Sequence, residues 1–209
     1  MSDIKIGKIT LGVCQTNTYF IYREGSSDII VFDPADRGEY LFSKFQEKGF
    51  NVAAILLTHG HFDHILGIED LQKHTDVKLY ASEDEAELAK DIELNCSQMF
   101  RRECSVNPDI LFSDGEKVTL ADIELEVIKT PGHTVGGCCY YIEEAGFLIS
   151  GDTLFLESVG RTDLPTGSMG TLIRSIKEKL FILPDETIVY PGHGPSTTIE
   201  HEKEYNPFI

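Results

Sequence analysis

Thr58-His59-Gly60-His61-Phe62-Asp63-His64 follows directly on the apolar run Ala53-Ala54-Ile55-Leu56-Leu57 and places four metal-competent side chains within six residues. A short apolar run of this kind reads as a buried strand, and a chain leaving a strand end can turn several side chains toward one point. Imidazole and carboxylate together suit zinc, and also iron or manganese, so the donor types narrow the ion without choosing it. A lone histidine is more often structural than functional. Four such side chains at one strand end point to a common centre.

Three later segments have the same form: Thr130-Pro131-Gly132-His133-Thr134, Ser150-Gly151-Asp152-Thr153 and Tyr190-Pro191-Gly192-His193-Gly194. Each follows an apolar, strand-like run and sets one His or Asp just beyond a glycine, which lets the backbone bend closely around an ion. Singly, each is an ordinary turn pair; their recurrence after strands makes His133, Asp152 and His193 candidate donors. His74 and His201 lie in polar stretches and read as solvated.

The remaining pattern supplies the scaffold. Residues 17–23 and 28–32 read as a hairpin that opens the chain, 37–48 as a helix stopped by Gly49, and 52–57 as a fully buried strand. Ile65, Ile68, Leu71 and Gln72 mark a helix; a strand at 77–80 and an acidic helix from Ser82, with Glu85 at the capping-box position, follow. Strands are expected at 117–120, 123–129, 138–142, 147–150 and 187–190, with helices at 171–180 and 199–204. The stretch 94–113 reads as a long irregular connection, the kind that often forms a lid or binding loop.

At 209 residues, with no repeat and no linker-like tract, the chain reads as one domain over 1–209. No apolar run approaches the roughly 18 residues needed to span a bilayer. The N-terminus resembles no export signal, so a cytoplasmic home is expected. The five cysteines, Cys14, Cys96, Cys104, Cys138 and Cys139, are odd in number and lack C-x-x-C spacing, so they read as reduced thiols. Cys138 and Cys139 should point to opposite faces of a strand. A formal net charge of −17 argues against a nucleic-acid partner.

From Thr16-Asn17-Thr18-Tyr19 to His193 the sequence resembles the metallo-β-lactamase superfamily. The full H-x-H-x-D-H set, with Pro-Gly-His-Thr, Gly-Asp-Thr-Leu-Phe and Pro-Gly-His-Gly-Pro, is similar to its glyoxalase II branch of thioesterases. The resemblance implies an α/β fold, a four-layer αββα sandwich with the site along the edge where two sheets meet. It assigns His59, His61 and His133 to a first metal, Asp63, His64 and His193 to a second, and Asp152 to a bridge. Two divalent ions are implied, zinc first, with iron or manganese possible. A water shared by the ions would attack a small acyl-thiol ester, and Asp63 could receive its proton. Two divalent ions outweigh Asp63, Asp152 and a hydroxide, so the pocket would suit a small anionic substrate.

The chain ends about fifteen residues after His193, without the helical C-terminal domain that carries much of the glutathione contact in longer glyoxalase II enzymes. Recognition is then expected from the core: from Arg101 and Arg102, with Met99 and Phe100 covering the acyl or thiol portion, and from Arg161 of Gly160-Arg161-Thr162-Asp163. Arg161 and Asp163 read first as a mutual loop brace. The alternatives are a mononuclear-iron persulfide dioxygenase, which shares the Gly-Arg-Thr-Asp segment, and a metal-holding interaction protein without turnover.

Overall fold

Runs with no polar face, such as Ile29-Ile30-Val31-Phe32, are stable only where both faces of a strand are covered. The computed structural model, which describes residues 3–209, covers them on both sides. Strands β1 (Ile4–Leu11), β2 (Thr16–Arg23), β3 (Asp28–Phe32), β4 (Asn51–Leu56), β5 (Leu79–Ser82) and β6 (Ile110–Phe112) form one sheet in chain order. Helices α1 (Gly38–Glu47), α2 (Phe62–Ile65), α3 (Ile68–His74) and α4 (Ala86–Lys90) fall between them.

The second sheet has the order β14-β13-β10-β9-β8-β7, from β7 (Lys117–Leu120), β8 (Ile123–Lys129), β9 (Cys138–Ile142), β10 (Phe147–Gly151), β13 (Ile188–Pro191) and β14 (Thr197–Thr198). A short hairpin, β11 (Leu154–Phe155) with β12 (Ser158–Val159), and helices α5 (Met169–Ser175) and α6 (Ile199–Tyr205) complete it.

Side-chain alternation divides the interior. Ile30 and Phe32 of β3, with Ala54 and Leu56 of β4, meet Leu125, Val127, Tyr140 and Ile149 of the second sheet. Their neighbours Ile29, Val31, Ile55 and Leu57 turn the other way, onto Leu41 and Phe45 of α1 and Ile68 and Leu71 of α3. On the far side, Cys139, Tyr141, Leu148 and Val189 pack under Leu172, Ile176, Leu180 and Ile199. The layers therefore run helix, sheet, sheet, helix, the expected four-layer α/β arrangement. Cys138 faces the space between the sheets and Cys139 the helix side, and all five cysteines are unpaired.

Four local expectations are corrected. The chain does not open with the β2–β3 hairpin: β1 precedes it, an edge strand whose alternation is hidden by Lys5, Gly7 and Lys8. The helix expected around 65–72 is two helices, because Gly67 donates its N–H to Pro34 O and turns the chain between α2 and α3. Glu85 closes no capping box: it ends a 3₁₀ turn, Glu83–Glu85, stands at the N-cap of α4 with no capping bond from its side chain, and is buried. The stretch 94–113 contains β6 and is pinned by Asn95 Nδ2 donating to Cys104 O at 2.8 Å.

What matters for the site is direction. β3, β4 and β5 are parallel, as are β10 and β13, so the chain leaves β3, β4, β8, β10 and β13 near one edge of the sandwich. A bridge between Thr16 and His193 joins the two sheets there. Among the described residues no helix is long and apolar enough to cross a membrane.

Candidate metal centre

Each of the seven sequence candidates stands just beyond a strand at that edge. His59 and His61 leave β4, with Asp63 and His64 in the one-turn helix α2 that follows; His133 lies past β8, Asp152 past β10 and His193 past β13. His59, His61 and His133 offer ring nitrogens that converge. His61 Nδ1 is 2.9 Å from His133 Nε2, which is 3.3 Å from His59 Nε2. Asp63, His64 and His193 form a second convergent set. Asp152 stands between them: its Oδ2 is 3.6 Å from His133 Nε2 and 3.4 Å from His193 Nε2, and its Oδ1 is 3.5 Å from His64 Nε2. Gly192 makes this approach possible, because a Cβ there would run into Asp152 Oδ1 and His64 Cε1.

The electrostatics favour a cation. Burial, reinforced by the neighbouring imidazoles, holds His59 far below its ordinary pKa; burial and His133 take His61 down to about 3. Ring nitrogens of His59 and His61, held neutral, thus converge with that of His133 on one point that a cation would suit. Two nitrogens on one tetrahedral zinc stand roughly 3.3 Å apart, close to the spacings seen. In the second set, burial opposes charge on Asp63 and Asp152, but His64 and His193 outweigh it and hold both carboxyls low, Asp152 at about 2. Burial likewise opposes a charged His193, yet its hydrogen bonds to Asp152 and Asp63 raise it to about 11. His64 Nε2 and Asp152 Oδ1 are buried and have no hydrogen-bond partner among the described residues. The residues therefore fit divalent ions, which would supply the positive charge that protons on His64 and His193 supply otherwise.

The far ring nitrogens are held by a second set of groups. Asp33 Oδ2 lies 2.9 Å from His64 Nδ1 and accepts from Thr58 Oγ1 at 2.7 Å, while Asp33 Oδ1 accepts from Thr58 N–H. His133 Nδ1 donates to Arg161 O at 2.7 Å, and His193 Nδ1 to Cys14 O at 3.1 Å. Such partners fix ring orientation and tautomer. Asp33 is not among the donors that the sequence motifs single out. Its position, just beyond an apolar strand, was the available signal.

Over the donors lies a cleft of about 140 Å³, walled by Cys14, Phe62, Cys96, Phe100, Arg161 and Leu164. Larger hollows of about 380 Å³ beside Lys117 and about 470 Å³ beside Phe50 contain no histidine or cysteine. Phe100 stacks on Phe62, ring centroids 4.6 Å apart, while Met99 is exposed and outside the lining. Arg101 and Arg102 also lie outside it. Arg102 forms a two-pronged bond to Asp36, at 3.0 and 3.2 Å, and Arg101 is exposed at φ 55°. His74 stacks on Phe42 and bonds Glu39; His201 bonds Glu157; neither approaches the centre.

Arg161 reaches the cleft rim, yet both its prongs bond Asp163 at 2.7 Å. Arg161→Ala is expected to lower the melting temperature by at most about 4 °C, as for other exposed pairs, and to leave KM unchanged. A raised KM at unchanged stability would instead make the guanidinium a substrate contact. Calorimetry and steady-state kinetics on the same preparation decide.

Comparison with known proteins agrees with this geometry. Residues 11–193 match the metallo-beta-lactamase superfamily. The chain is 38% identical to the probable metallo-hydrolase YqgX of Bacillus subtilis, over 99% of this chain and 98% of that one. It is 34% identical to the hydroxyacylglutathione hydrolase GloC of Haemophilus influenzae, over 93% of each. Among solved structures, BLEG-1, a B3 metallo-beta-lactamase, superposes with a TM-score of 0.93 at 37% identity, covering 98% of this chain and 99% of that one. TTHA1623, in a di-iron-bound form, does so with a TM-score of 0.87 at 35% identity, covering 97% and 100%.

Proposed function

Since the chain belongs to the metallo-β-lactamase superfamily, we propose that it is a glyoxalase II-like thioesterase, hydrolysing a small anionic acyl-thiol ester on two divalent ions. The observation that carries this reading is the pair of donor triads meeting at Asp152 beneath one cleft. The likeness to GloC supports the thioester as the bond broken.

In this reading His59, His61 and His133 hold one ion, Asp63, His64 and His193 the other, and Asp152 both. When bound, the ions polarise the ester carbonyl, lower the pKa of a water toward neutrality and stabilise the developing oxyanion. Asp63 Oδ2, held by Thr16 Oγ1 at 2.7 Å, is the carboxylate placed to take a proton from the attacking water. Asp33 keeps His64 in the tautomer whose Nε2 faces the centre. Phe62, Phe100 and Leu164 exclude water from one wall and cover the apolar part of the ester. Arg161 lies at the rim with both prongs on Asp163, as a brace of the cleft wall, and Arg101 and Arg102 lie further out.

We propose zinc as the ion; the donor set also accepts iron, as in the di-iron neighbour. A cytoplasmic location and a single catalytic domain over 1–209 belong to the same reading, supported by five unpaired thiols.

The test combines elemental analysis of the loaded protein with rates on lactoylglutathione, other thioesters, glutathione persulfide and a β-lactam. Two equivalents of metal and thioester hydrolysis are expected. One equivalent of iron with oxygen uptake on the persulfide would establish the dioxygenase. Preferred β-lactam cleavage would align the chain with BLEG-1. Bound metal without any turnover would leave a metal-holding interaction protein.

A further inference from the structure

The three-histidine triad is assembled from two loops with no short covalent link: His59 and His61 after β4, His133 after β8. Backbone and side-chain contacts tie the bases of these loops, with Cys138 N–H donating to Thr58 O at 2.9 Å and Tyr140 OH to Leu57 O at 2.7 Å. Their tips are tied by a third element. Glu85, 1% exposed at the end of the 3₁₀ turn after β5, accepts from Gly60 N–H at 2.8 Å through Oε1. Through Oε2 it accepts from Thr134 Oγ1 at 3.0 Å and from Gly136 N–H at 2.8 Å. Gly60 separates His59 from His61, and Thr134 adjoins His133. The 134–137 loop lies flush on this turn, since a Cβ on Gly136 would run into the backbone of Asp84 and Glu85.

We infer that Glu85 is a positioning residue for the histidine triad: one buried carboxylate, bonded to both ligand-bearing loops, sets the spacing of His59 and His61 from His133. It touches neither ion nor substrate. Both carboxylate oxygens accept from a backbone N–H, so an amide of the same size cannot replace it: whichever way it is turned, its NH₂ faces the N–H of Gly60 or of Gly136 and loses that bond. The consequence is selective, because among the described residues Glu85 bonds Gly60, Thr134 and Gly136 and no member of the Asp63, His64 and His193 set.

The inference rests on the two-ion reading, and its test contains no substrate. Cobalt(II) is titrated into metal-free wild type, Glu85→Gln and Thr134→Val against a competing chelator, and its visible absorption is recorded at each step. In Glu85→Gln, one of the two ions should bind about 10- to 100-fold more weakly, as for other groups that orient metal ligands, while the other is unchanged. The spectrum of the ion that remains should match that of His61→Ala. Thr134→Val, which removes one bond of three, should weaken the same ion by a smaller factor, and it carries the test alone if Glu85→Gln does not fold. Equal weakening of both ions, or unchanged affinities with only a lowered melting temperature, would overturn the inference. If wild type binds a single ion at the triad, the two-ion reading fails, and a drop or no drop in that ion's affinity still decides the role of Glu85.

Discussion

Asp152→Ala should abolish thioester hydrolysis, with kcat/KM down by at least about three orders of magnitude, and should weaken both metal sites together. The carboxylate is within 3.4–3.6 Å of donors from both triads, and no neighbouring side chain can take its place. Losing several kcal/mol of charge stabilisation removes one decade of rate per roughly 1.4 kcal/mol. Asp152→Asn keeps the size and removes the charge, and is expected to be nearly as damaging. Metal content and kcat/KM of the two variants, measured together, test this. Activity within tenfold of wild type in either would dismiss Asp152 as a bridge.

Removing the ions should lower the melting temperature by about 10–20 °C at pH 8, and by less at pH 6. Two sites each held at 100 times Kd contribute about 2.7 kcal/mol apiece, and in a chain of this size 1 kcal/mol moves the transition by roughly 2–4 °C. The pH dependence comes from the stripped protein. His193 is raised to about 11 once its carboxylate partners outweigh burial, so its stabilisation is complete below about pH 6.5 and is lost as pH climbs toward 11. Asp63 and Asp152 are lowered, so theirs is complete above about pH 4 and is lost only in acid. Burial lowers His59 and His61, so theirs is complete above about pH 6.5 and is lost as pH falls, which places the greatest stability of the stripped protein near pH 6.5. Metal binding displaces the proton on His193 and tightens as pH rises. Calorimetry of loaded and chelated protein from pH 6 to 9 should show the gap widening; a gap that narrows would mean that His193 does not carry that proton.

Much of this was legible in the sequence because donors at strand ends leave a local mark. A cluster of four donors of two types beyond an apolar strand, as at His59 to His64, needs no knowledge of what packs against it. The four layers were legible through the family resemblance; the residues themselves show that β3, β4 and β9 are apolar on both faces, which only a covered sheet allows. What stayed hidden depends on partners far along the chain. Glu85 and Asp33 look like any acidic residue beside a turn; only tertiary contact, with Gly60, Thr134 and Gly136 or with Thr58 and His64, turns them into braces. Arg101 and Arg102 show the opposite effect. Their adjacency in an acidic chain drew them together with Met99 and Phe100 as a recognition patch, but the fold sends Arg102 to Asp36 and brings only Phe100 of that segment to the cleft.

The bridge between Thr16 and His193 also fixes an order of events. His193 is held by the carbonyl of a residue 179 positions earlier, and Asn17 reaches Pro191 O across 174. Closing loops of that length is slow and must precede the contacts it rewards. The second donor set is thus complete only when β2 and the end of β13 have met. The full set of seven donors therefore cannot be offered to an ion until the two sheets are in place.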